Sequence, residues 1–161
     1  MERELQRLID RLRVTGFTVA TAESCTGGWL AKVLTDQPGA SHWFLGGWVV
    51  YSNAAKEREL GVPQTVLRRH GAVSHETVLA LAREARRRSG ATLAVAISGI
   101  AGPGGAVAGK PVGTVCFGFA RRSGRGARVT SVTRRFPGDR DAVRAAAVRF
   151  ALKSLYSMAR D

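Results

Sequence analysis

Residues 20–31 read ATAESCTGGWLA, which places Glu23, Ser24, Cys25 and Thr26 directly before Gly27 and Gly28. A short apolar run ends here and a helical pattern begins. A serine at such a junction lies beside the unpaired amides of a helix start, which favour an oxyanion or a phosphate. The same residues also make an ordinary helix entry, with Ser24 or Thr26 as cap and the two glycines allowing tight packing. Cys25 is a competing nucleophile, because a thiol at a helix start is acidified. As a small apolar residue it equally suits a core.

A serine hydroxyl needs a base before it attacks. No GxSxG elbow surrounds Ser24, and the SxxK spacing fails because position 27 is glycine. The segment VVYSNAAKE supplies Tyr51 and Lys56 instead. A lysine set against other donors can be held neutral enough to accept a proton, directly or through the Tyr51 phenol. The plainer alternative is an interfacial tyrosine and a solvated lysine.

The loop GIAGPGGAVAGKP, residues 99–111, carries flexible amides at Gly99, Gly102 and Gly105 and a cation at Lys110. It is not a Walker loop, since Pro111 follows the lysine, and no GxGxxG opens a helix. Open α/β sheets bind ligands beyond the carboxyl ends of their strands. Ser24 and Ser98 both fall at expected strand ends, so one rim would collect both loops; a plain long loop is the alternative. Arg140, in PGDR, stands at another strand exit where a guanidinium pairs well with phosphate. Asp139 reads as a helix cap. His42, His70 and His75 read as structural or solvated. Trp29, Trp43 and Trp48 are core residues or platforms for a flat ring.

These groups must be positioned by a chain of 161 residues, the length of one domain. No segment offers the roughly eighteen consecutive apolar residues of a membrane helix. The N-terminus, MERELQRLIDRLRV, lacks the apolar run of a signal peptide. Two cysteines are too few for a disulfide framework, which suggests reducing cytoplasm, and three scattered histidines give no metal-ligand cluster. The formal charge is +13, with arginine supplying 21 of the 25 basic residues. That field attracts phosphate-bearing partners of any size. With no zinc finger, GxxG loop or RNP-like strand, a nucleic-acid partner is not expected.

Periodicity predicts helices over 2–14, after Gly28, over 53–60, over 64–69, from His75, and after Asp139. Strands are expected over 17–22, 43–52, 91–98, 112–120 and 128–136. The glycines of the second strand suggest a bulge or close backbone approach. The short link between the last two strands predicts an antiparallel hairpin. The fold class is therefore α/β: a layered single domain with a mixed β-sheet flanked by helices.

Six segments in register resemble the CinA C-terminal domain family. They are ESCTGG at 23–28, GGWVVYSNAAK at 46–56, GAVS at 71–74, SGIAGPGG at 98–105, KPVG at 110–113 and FPGDR at 136–140. The resemblance covers nearly the whole chain and implies one CinA C-terminal-like amidase domain over 1–161. It implies nicotinamide-nucleotide amidase activity, releasing ammonia from nicotinamide mononucleotide and leaving nicotinic acid mononucleotide. The family resembles serine amidohydrolases that use no metal and no other cofactor. Its catalytic serine falls on Ser24, its tyrosine on Tyr51 and its lysine on Lys56. Substrate and phosphate contacts are expected from Thr26, Gly27, Gly28, Ser98, Gly99, Gly102, Gly105, Lys110 and Arg140. A homo-oligomer is also implied. Some relatives carry a further N-terminal pyrophosphatase domain, which is not expected here.

Several positions depart from the family pattern. Ser98 replaces threonine, Gly104 an aspartate, Ala106 a glycine and Val107 a threonine, and His75 stands where glutamate is usual. The Gly104 change removes a carboxylate from the loop. Two alternatives to an amidase stand: a catalytically silent mononucleotide-binding protein of the same fold and, on charge alone, a basic nucleic-acid-binding protein.

Overall fold

Leu93, Val95 and Ile97 enter one apolar core while Ala94 and Ala96 enter a second. A strand buried on both faces must be central, with a layer of helices on each side. The computed structural model, which describes residues 1–160, has this architecture. In chain order the elements are α1 (Glu2–Thr15), β1 (Val19–Glu23), α2 (Trp29–Thr35), a 3-10 turn (Ala40–His42) and β2 (Phe44–Val49). Then come α3 (Asn53–Leu60), α4 (Gln64–His70), α5 (His75–Ser89) and β3 (Leu93–Gly99). The chain closes with β4 (Thr114–Ser123), β5 (Gly126–Arg135) and α6 (Arg140–Met158).

The sheet order is β2-β1-β3-β4-β5. Strand β1 runs parallel to both β2 and β3, whereas β3–β4 and β4–β5 are antiparallel. The expected mixed sheet and terminal hairpin are both present. Leu8 and Leu12 of α1, Leu30 and Leu34 of α2, and Val148 and Leu152 of α6 meet the large-residue face. Leu60 of α3, Leu67 of α4 and Leu81 of α5 meet the alanine-rich face.

Small residues on that second face let α5 lie close to the sheet. At Gly118 of β4 an added Cβ would run into the Val78 carbonyl of α5. The expected caps are in place: the Ser74 hydroxyl accepts from the Thr77 amide of α5 and the Asp139 carboxylate from the Ala142 amide of α6. The glycines of β2 have the anticipated effect too. Register slips between Val19 and Ala20, leaving Leu45 as the extra residue, and Gly47 lies against the Thr21 side chain.

Boundaries differ from the sequence pattern near the rim. Strand β2 stops at Val49, so Tyr51 lies beyond it in the turn to α3. Strand β3 runs on to Gly99, one residue past the expected end, and Ser98 within it is buried and paired in register with Cys116. Each shift reflects main-chain pairing that hydropathy alone does not reveal. The carboxyl ends of the three parallel strands still share one rim.

Candidate active site

Strand β1 ends at Glu23, and the next amide, that of Ser24, donates to the Ile97 carbonyl of β3 at 2.9 Å. The chain then folds through two tight turns. The Gly27 amide donates to the Ser24 carbonyl at 3.0 Å and the Trp29 amide to the Thr26 carbonyl at 3.2 Å. Gly27 and Gly28 have φ of 61° and 90°, the left-handed region that side chains avoid. Helix α2 therefore starts later than Ser24 or Thr26 could cap it. The buried Glu23 carboxylate takes that role, accepting from the Leu30 and Ala31 amides at 3.0 and 2.8 Å. This leaves the Ser24 hydroxyl free for other partners.

Its partner comes from α3. Ser52 caps that helix by accepting from the Ala55 amide at 3.0 Å. One turn in, Lys56 points inward and is only 1% exposed. Its Nζ donates to Ser24 Oγ at 3.2 Å, to the Val50 carbonyl at 2.9 Å and to the Tyr51 carbonyl at 3.1 Å. Burial pulls the Lys56 pKa from 10.5 down to about 8. The amine thus reaches its neutral, proton-accepting form near physiological pH. Ser24 Oγ also makes a long 3.5 Å bond to the Tyr51 carbonyl and is 8% exposed, so it stands at the surface of the cluster.

Cys25, the competing nucleophile, is buried, and burial pushes its thiol up to about 11. That shift suits a core cysteine and opposes thiolate chemistry.

The Tyr51 phenol turns away from Lys56 and accepts from Arg140 Nη2 at 3.0 Å. Arg140 Nη1 donates to the Gly102 carbonyl at 2.9 Å. One guanidinium thus ties the Tyr51 turn, the glycine-rich loop and the start of α6 together. Ser98 is adjacent through the β1–β3 pairing that ends at Glu23 and Ile97. Gly99 and Gly102 are packing positions, where a Cβ would press on Val115 and Val112 respectively. Gly105 has φ of 89° beside Ile100. Lys110 lies apart from this cluster. It donates to the His70 carbonyl at 3.2 Å and lines a cavity of about 440 Å³ with Arg69, His75 and Thr133.

Two residues of this region, Glu23 and Arg144, are given no role by the sequence pattern. Glu23 is recognisable as an acid just ahead of a helix, where the dipole favours it. Arg144 lies one helical turn after Arg140 and donates to the Cys25 and Thr26 carbonyls. Four-residue spacing on α6 was the available clue to its shared face.

The chain matches the family model of the CinA C-terminal domain over residues 2–159. It is 52% identical over 147 residues to the nicotinamide-nucleotide amidohydrolase PncC of Escherichia coli K12, covering 90% of this chain and 86% of that protein. The protein of the same name from Pseudomonas putida is 50% identical over 152 residues, covering 94% and 92%. Among solved structures, the competence/damage inducible protein CihA of Agrobacterium tumefaciens aligns with a TM-score of 0.91 at 42% identity, covering 98% of this chain and 94% of that one. A CinA superfamily protein of Klebsiella pneumoniae aligns with a TM-score of 0.92 at 37% identity, covering 98% and 96%. With the fold, the motif order and the sequence match in agreement, this chain belongs to the CinA C-terminal domain family.

Proposed function

We propose that this chain is a nicotinamide-nucleotide amidase that works through Ser24. The observation that carries the reading is the 3.2 Å contact between Lys56 Nζ and Ser24 Oγ, made by an amine that burial brings toward neutrality. The names of its relatives point to a nicotinamide nucleotide as substrate, and the family resemblance narrows this to nicotinamide mononucleotide.

Neutral Lys56 takes the Ser24 proton as Oγ attacks the carboxamide carbon. A tetrahedral intermediate forms, its oxyanion facing amides of the turn that follows Ser24. The carbon–nitrogen bond then breaks, and Lys56 returns the proton to the departing nitrogen, which leaves as ammonia. Water, deprotonated by the same amine, cleaves the acyl-enzyme ester and yields nicotinic acid mononucleotide. The direct lysine-to-serine path is the shorter of the two routes expected for the proton. Tyr51 contributes its carbonyl to Lys56 and presents an exposed ring to the substrate, while Arg140 offers its charge to the phosphate. Thr26, Gly27 and Gly28 shape the turn, and Ser98, Gly99, Gly102 and Gly105 shape the facing loop.

The test is ammonia release from nicotinamide mononucleotide by the native protein and by Ser24→Ala. The native protein should turn over, and the variant should lose at least about a thousandfold in kcat with its fold intact. Equal activity in both would remove Ser24 as nucleophile. Tight mononucleotide binding without ammonia release would instead identify a silent binding protein.

A further inference from the structure

We propose that Arg144 is a positioning residue for this reaction: it holds the Cys25–Thr26 peptide so that the Thr26 amide donates to the oxyanion. The inference rests on Ser24 being the nucleophile.

Arg144 Nε donates to the Cys25 carbonyl at 3.1 Å and Nη2 to the Thr26 carbonyl at 3.2 Å. Its Nη1 meets Asp141 at 3.3 Å, and its guanidinium carbon lies 5.3 Å from the Trp29 ring centroid. One cation therefore grips the two carbonyls that immediately follow Ser24. All three guanidinium nitrogens are engaged by the protein, and one face is covered by an indole. This is the arrangement of a clamp, whereas a substrate-binding arginine keeps donors free.

Fixing those carbonyls also fixes the amides behind them. The peptides concerned are trans and planar, so the Thr26 N–H points opposite to the Cys25 carbonyl, away from the guanidinium. The Gly27 N–H, opposite the Thr26 carbonyl, is already bonded to the Ser24 carbonyl. The Thr26 N–H has no acceptor among the described residues. This amide lies two residues after Ser24 in the same turn and is therefore available to an oxyanion formed there. The cation also polarises the Cys25–Thr26 peptide, making its N–H a stronger donor than an isolated amide.

The turn needs such a restraint. It continues into Gly27 and Gly28, both left-handed and without side chains to resist a peptide flip. Arg144 Nη2 lies 3.6 Å from where a Gly27 Cβ would be, so the guanidinium rests directly over the flexible point.

The experiment compares the full-length native chain with Arg144→Met, Arg144→Lys and, as control, Ser24→Ala. For each, kcat and KM for ammonia release from nicotinamide mononucleotide are measured across the pH range around 8. Arg144→Met should lose about 10- to 100-fold in kcat, with KM within about twofold and the pH midpoint of kcat/KM unmoved. Arg144→Lys should recover part of that loss, since it restores charge without the two-pronged grip. A raised KM with full kcat would make Arg144 a substrate contact and overturn the proposal. A moved pH midpoint would mean that the substitution acts through Lys56, and that result also overturns it. If Arg144→Met does not fold, the same kcat–KM split in Arg144→Lys decides. Should Ser24→Ala remain active, the underlying nucleophile is wrong; should Ser24→Ala be inactive while both Arg144 variants keep full kcat, only the positioning role fails.

Discussion

Lys56 sits where two demands conflict. As a charged group it is expensive to bury, yet as a base it must be close to Ser24 and shielded from water. Two main-chain carbonyls and a serine oxygen surround the amine, but burial still lowers its pKa to about 8. The unfolded chain titrates this lysine near 10.5, so between about 8 and 10.5 the unfolded state binds more protons than the native state. Stability therefore rises with pH across that window. The cost, about 3 kcal/mol, is fully present below pH 8 and is lost above 10.5. Urea denaturation of the native protein and of Lys56→Met should show their stability difference moving toward the native protein by up to that amount between pH 7 and pH 10. At lower pH, on the approach to about 8, kcat/KM should climb with pH and then level off above about pH 8. A stability difference and a rate that both ignore pH would remove Lys56 as the base.

At the scale of the element, the β1–α2 connection is built to free a hydroxyl. Caps usually come from a serine or threonine at the helix boundary. Here Glu23, seven residues before Leu30, reaches the α2 amides from the end of β1. The carboxylate satisfies two first-turn donors and complements the positive end of the helix. Glu23→Gln keeps one acceptor oxygen but forfeits the charge, and should lower the unfolding free energy by about 1–2 kcal/mol. Urea titration at pH 7 checks this; an unchanged midpoint would mean that the α2 amides find another acceptor. The sequence pattern located α2 and the Ser24 turn correctly. It assigned the cap to nearby hydroxyls because a carboxylate at a strand end gives no local sign of which amides it will meet.

The whole molecule carries a formal charge of +13, most of it arginine on helix and hairpin surfaces. Some of these cations are matched, as Arg87 is by Glu84, but the balance is strongly positive. Such a field draws an anionic mononucleotide toward the rim and is screened by salt. Raising the salt from about 0.05 to about 0.5 M should therefore raise KM for nicotinamide mononucleotide several-fold while leaving kcat unchanged. The nucleoside, which lacks the phosphate and carries only the positive charge of its pyridinium ring, should in parallel show a KM that salt does not raise. Equal salt responses for the two would place the phosphate outside the reach of this field. None of the described helices is long and apolar enough to cross a membrane.

By itself the sequence determined the element order, the mixed sheet, the caps at Ser74 and Asp139 and the segments that form the rim. Those features follow from periodicity, turn chemistry and motif order, all written within short stretches of chain. Only the tertiary structure decided that Lys56 is buried against Ser24, that the Tyr51 phenol goes to Arg140, and that Lys110 is held at the end of α4. It also decided that Glu23 caps α2 and that Arg144 grips the carbonyls of the serine turn. These are contacts between groups far apart in the chain, set by how closely helices pack on the sheet. A hydropathy pattern tells a side chain which face to take, but the packing of the layers chooses its partner.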